Sequence, residues 1–113
     1  MYKPEWLNAA QTPAGRLSKQ LESIFIKWGF VHVVDTGSLL GNTLALRKRI
    51  EAGEVLGPTI LTAGEPLYPA GGVPEPAKQY NLPEAATADQ ALKWARKHLA
   101  DGADFLKIFT GSG

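Results

Sequence analysis

The chain contains no cysteine. Disulfides and thiolate zinc sites are therefore excluded, and cysteine usage leaves the redox compartment open. No apolar run approaches the length of a bilayer span. The opening Met1-Tyr-Lys-Pro-Glu-Trp6 lacks the apolar centre of a secretion signal. A cytoplasmic protein with no membrane partner is the expectation. Neither sign of charge dominates: twelve Lys and Arg stand against eleven Asp and Glu, for a formal net charge of +1. No basic stripe interleaves with aromatics, so nucleic acid is not an expected partner. What is present is apolar residue in quantity. With 113 residues, 44% of them apolar, the chain is sized for one domain with a real core.

Residues 1–11 show no periodicity and are expected to form an N-terminal arm, leaving residues 12–113 to carry the fold. Thr12-Pro13 reads as a helix start, a hydroxyl N-cap followed by proline at the first helical position. Leu17, Leu21, Ile24, Phe25 and Trp28 then share one helical face, and Gly29 ends the helix. Phe30 to Asp35 reads as a strand. Asn42 is placed to cap a second helix, Thr43 to Ala52, with Leu46 and Ile50 inward and Arg47, Lys48, Arg49 and Glu51 on the wet side. Gly53 caps that helix, Gly57-Pro58 turns the chain, and Thr59 to Ala63 forms the second strand.

Residues 64–86 are rich in Pro and Gly and carry neither a helical nor an alternating pattern. A loop of this length is a functional lid or a plain surface loop, and Tyr68 and Tyr80 are its candidates to line a pocket. Thr87-Ala-Asp-Gln90 is a capping box opening a third helix, with Ala88, Ala91, Leu92, Ala95, His98 and Leu99 on one face. Gly102 follows it. Phe105, Leu106, Ile108 and Phe109 then make a short buried strand interrupted by Lys107. An ammonium ion is costly to bury in such a run. Lys107 therefore either snorkels to the strand end or is used chemically. The glycines after Thr110 would let a backbone approach a ligand, although Gly111-Ser-Gly113 lacks the lysine spacing of a phosphate-binding loop.

The order is thus α-β-α-β-α-β, with parallel strands joined by right-handed crossovers. Successive units of one hand put every helix on one side of the sheet. The other side would be bare, carrying Phe105, Lys107 and Phe109 on the last strand. This is the expectation for parallel βα units of a partial TIM (β/α)8 barrel, a fold of about 250 residues when whole. Other polypeptide must then cover the bare side, as a homo-oligomer or as the remainder of the barrel.

Four stretches carry a resemblance. Gly29-Phe-Val-His-Val-Val-Asp-Thr-Gly37 is similar to a "GxTTVxDxG" strand. Leu46 to Pro58 and Ile60 to Leu67 are similar to an "LRxxIxxGxxxGPR" helix-turn and an "IxxAGxxL" strand. Asp101-Gly-Ala-Asp-Phe-Leu-Lys-Ile-Phe109 is similar to "GADxIKxF". In this order they resemble the metal-dependent amidohydrolase superfamily, in its imidazolonepropionase-like and prolidase-like branch. The resemblance implies a (β/α)8 barrel that hydrolyses amide or other C–N bonds of a small molecule or peptide with one or two divalent metals. Lys107 matches the strand-four lysine that is carboxylated in the two-metal branch. Carbon dioxide converts that amine to a carbamate, an oxygen ligand suited to zinc.

The departures are as informative. The family's His-x-His pair has no counterpart N-terminal to the matching stretches, and its later ligands and general base would lie beyond Gly113. Only His32 and His98 are present. His98 reads as a core or boundary residue, His32 as packed rather than ligating, and Asp35 as an anchor of its loop. No catalytic residue is assigned, and Lys107 is the single candidate metal ligand. The isolated chain is expected to hold no metal and to be inactive. Two alternatives stand beside this reading. One is a non-catalytic α/β oligomeric module. The other follows from Ala103 to Gly111, which is similar to the Schiff-base strand "ADFIKTSTG" of deoxyribose-phosphate aldolases, with Lys107 as the nucleophile.

Overall fold

The computed structural model describes residues 8–110. Helix α1 spans Ala14–Ile24. Its residues Leu17 and Leu21, one turn apart, are buried against Val55, with Phe25, Leu46 and Ile50 packed around them. This small cluster is the centre of the core. The expected cap at Thr12 is not made: the Thr12 hydroxyl donates backwards to the Asn8 carbonyl at 2.9 Å, and Pro13 takes the N-cap position. Of the predicted arm, residues 1–7 lie outside the described residues, while residues 8–11 form a turn held on the second helix. Trp28 leaves the expected apolar face. The α-helix stops at Ile24, a 3-10 turn covers Ile26–Trp28, and the Trp28 side chain stands 67% exposed.

Strand β1, His32–Asp35, pairs in parallel with strand β2, Thr59–Thr62, in the register His32↔Thr59 to Asp35↔Thr62. Helix α2, Leu40–Glu51, connects them. It begins before Asn42, which therefore cannot cap it. Asn42 instead accepts the Ala9 N–H on Oδ1 at 2.8 Å. The helix start is served from elsewhere: both carboxylate oxygens of Glu65 accept the Leu40 N–H at 3.1 Å. Two arginines assigned to the wet side are half-buried ties. Arg49 donates to the Ala9 and Thr12 carbonyls at 2.7 and 2.6 Å. Arg47 donates to Asp104 at 2.6 Å and to the Ile60 carbonyl at 3.2 Å.

The stretch 64–86 is more structured than its composition suggested. Strands β3, Tyr68–Pro69, and β4, Glu84–Ala85, pair in parallel, and a 3-10 helix, Glu75–Tyr80, lies between them. Two-residue strands are too short to leave an alternating pattern, which is why the sequence showed none. Helix α3 spans Ala88–Ala100 and is capped as read, the Thr87 hydroxyl accepting the Gln90 N–H at 3.2 Å. The Gln90 side chain reaches back one residue further than a strict capping box, to the Ala86 N–H at 2.8 Å. Its buried face is rotated from the expected one. His98 is buried, with the Trp94 ring stacked on it at 4.3 Å, while Leu92 and Leu99 are exposed. The His98 ring bonds the Ala63 carbonyl, and this fixes the rotation of the helix.

The last expected strand is reduced to one parallel bridge, Leu67↔Ile108. Asp104 N–H donates to the Thr62 carbonyl at 2.8 Å, Leu67 N–H to the Lys107 carbonyl at 2.9 Å, and Phe109 N–H to the Leu67 carbonyl at 2.9 Å. The Ala63 N–H turns the other way, to Asp35. N–H directions alternate along a strand, so Asp104 meets β2 at the edge opposite β1, and residues 107–109 bond Leu67 beyond that strand. The architecture is mixed α/β, with the short parallel pairs β1–β2 and β3–β4. No barrel closes among the described residues. Val33 and Ile60 face α1 and α2, whereas their neighbours Val34 and Leu61 are 62% and 48% exposed on the reverse face.

A candidate functional site at the carboxyl ends of the strands

Both β1 and β2 end at the same edge because they are parallel and in register. The loops that leave them meet there, as catalytic loops do in α/β proteins. Asp35 closes β1 and organises this edge. Its Oδ1 accepts the Gly37 N–H at 3.1 Å, and its Oδ2 accepts the Thr62 hydroxyl at 2.6 Å and the Ser38 hydroxyl. Ser38 in turn lies 2.7 Å from the Thr43 hydroxyl. Thr62 is fully buried and its oxygen also accepts the Gly64 N–H at 2.9 Å. The carboxylate is thus held by three donors, the arrangement of a loop anchor.

Beside this anchor lies a cleft of about 580 Å³. The loop 36–39 forms one side. Pro66 and Tyr68 come from the chain after β2, Tyr80 and Leu82 from the crossover, and Lys107 and Phe109 from the terminal run. The candidates Tyr68 and Tyr80 therefore both line the cavity. Phe109 stacks on Tyr68 with ring centroids 4.6 Å apart and planes 9° apart. The Lys107 ammonium sits 5.1 Å from the Phe109 centroid, a cation–π contact. Among the described residues no carboxylate forms an ion pair with it.

Neither histidine joins Lys107. His32 is exposed on β1, not packed as expected, because among the described residues nothing packs over it on the face it shares with Val34. His98 is buried on α3 with its ring nitrogen engaged by a backbone carbonyl. Gly111 and Gly113 lie outside the described residues. Among the described residues no three His, Asp or Glu side chains form a metal-binding group. Zinc takes at least three protein ligands. Here the cleft offers Lys107 and an Asp35 already committed to three donors, so these residues do not by themselves fit a metal centre.

No protein-family model and no curated protein matches this chain.

The residues that shape the site most firmly were not singled out from the sequence. Asp104 accepts the Thr62 N–H at 2.9 Å and the Arg47 guanidinium at 2.6 Å. The Thr62 N–H, and then Arg47, hold its carboxyl below the usual value of 3.8 against the opposing effect of burial. This clamp fixes the start of the run that delivers Lys107 to the cleft. A carboxylate just after a helix-ending glycine and an arginine on α2 were the available signals. Their separation by 57 positions hid the pairing.

Proposed function

We propose that this chain forms one side of the active cleft of a metal-dependent amidohydrolase acting on amide or other C–N bonds, and that Lys107 is its contribution to the metal centre. The remaining ligands and the general base belong to polypeptide that completes the barrel. The single observation carrying the reading is the position of Lys107. Lys107 lines a cleft at the carboxyl ends of parallel strands, with no ion-paired carboxylate among the described residues. The ordered sequence resemblance supports the same reading. Within this chain the residues position rather than react. Asp35 and Thr62 set the loop edge, Asp104 and Arg47 fix the terminal run, and Phe109 orients the lysine.

The test uses the barrel-completed protein, purified with isotopically labelled bicarbonate. The expected result is a carbamate carbon signal that disappears in Lys107→Ala together with bound zinc. Zinc and amide hydrolysis retained in Lys107→Ala would sink the proposal. Borohydride trapping of an aldehyde on Lys107 would instead favour the Schiff-base alternative, because a carbamate nitrogen does not form an imine.

A further inference from the structure

The two sides of the cleft differ in chemistry. One side carries the Asp35 loop, and the Lys107 amine lies over the Phe109 ring. The other is built of rings and branched carbons: the stacked Tyr68 and Phe109, with Tyr80 and Leu82 from the crossover. None of these four belongs to the hydrophobic cluster between α1 and α2. Tyr80 and Leu82 bracket Asn81, whose φ of +53° ends the 3-10 helix and sends the chain on toward β4. The volume of about 580 Å³ falls within the range of small-ligand sites, roughly 300–1,000 Å³.

We infer that the ring wall is a side-chain subsite, which takes the aromatic or branched apolar side chain of an amino-acid amide and holds it beside Lys107, across from the Asp35 loop. The inference rests on the amidohydrolase reading for the amide and on the wall itself for the side chain. An apolar group laid against Tyr80, Leu82 and the outer edge of the Tyr68–Phe109 pair leaves water on both surfaces at once. A glycine residue would leave the wall wet. The polar part of the same ligand lies toward residues 36–39, on the side of the Asp35 loop.

The experiment titrates the full, isotopically labelled chain with N-acetyl-phenylalanine amide, N-acetyl-leucine amide and N-acetyl-glycine amide, followed by backbone amide shifts. The phenylalanine and leucine compounds should bind at least about tenfold more tightly than the glycine compound, the scale of discrimination an apolar pocket gives. The largest shifts should fall at Tyr68, Tyr80, Leu82 and Phe109. Tyr80→Ala should bring the three affinities together, and Leu82→Ser serves as the second variant if Tyr80→Ala loses its folded spectrum. Equal affinities in the unaltered chain, or shifts confined to His32 and Leu61 on the open sheet face, overturn the subsite. Binding needs neither metal nor turnover. Absence of the carbamate would therefore remove the hydrolase reading and leave the subsite standing, while equal affinities would do the reverse.

Discussion

Asp104 ties together three parts of the chain that are far apart in sequence: the terminal run, the β2 backbone at Thr62 and the α2 side chain Arg47. Its lowered pKa makes that tie dependent on pH. A carboxylate with a folded pKa below its unfolded one stabilises the protein fully above the unfolded value. The contribution declines as pH falls through 3.8 and is gone below the folded pKa. Asp104→Asn keeps an acceptor for the Thr62 N–H but discards the charge facing Arg47. It should cost about 1 kcal/mol at neutral pH, since the pair is partly exposed. Urea midpoints measured across the acid range should show a shallower loss of stability in the variant. Parallel curves for the two proteins would refute this role. A second residue-scale test is Gly64→Ala. Gly64 has φ +62°, and an added Cβ would lie 2.7 Å from Leu40 Cβ and 3.0 Å from the His98 ring. Strain and overlap together should cost about 2 kcal/mol or more, read as a lower thermal midpoint.

Among the elements, α2 shows how a helix start is supplied from a distance. Leu39 at the N-cap offers no side-chain acceptor, and the first turn contains no acidic residue. The Glu65 carboxylate fills both roles from the loop after β2. Glu65→Ala should destabilise the protein by about 1 kcal/mol and raise amide exchange in the first turn of α2 ahead of its last turn. Uniform exchange along the helix would contradict the assignment. The same helix marks the border of what local sequence reveals. Its existence and its inward residues Leu46 and Ile50 follow from periodicity, and the capping of α3 by Thr87 follows from local chemistry. The misassigned starts of α1 and α2 share one cause. Thr12 and Asn42 have the right side chains for caps, but other backbone groups claim their hydrogen bonds, Asn8 four residues back for Thr12 and the distant Ala9 for Asn42. Arg47 and Arg49 look like a solvated face for the same reason, since their acceptors lie outside any local window. In the cleft, Tyr68, Tyr80 and Lys107 were legible as residue types in suggestive places. Their meeting with Asp35 and Phe109 required the parallel register.

For the molecule as a whole, the bare side of the sheet follows from the strand–helix order and is present at Val34 and Leu61. Val33 and Ile60 find helices, whereas their neighbours on the reverse face find water. Each large aliphatic side chain gains about 1.5–3 kcal/mol on full burial, so an uncovered row of them favours contact with another surface. The parallel pairings also leave β1 with one open edge, because β2 is its sole strand partner among the described residues. The chain by itself should therefore self-associate at micromolar concentration. Val34→Lys places a charge at the centre of the exposed row, where it remains hydrated in the monomer and would be buried in the associated form. It should shift the sedimentation profile toward monomer while leaving the circular dichroism of the fold unchanged. Adding polypeptide that completes the barrel should have the same effect as the lysine, because both remove the apolar surface that drives contact. A chain that sediments as a monomer at these concentrations, with Val34→Lys indistinguishable from it, would show that the reverse face needs no cover. The requirement for further polypeptide around Lys107 would then lose its physical basis.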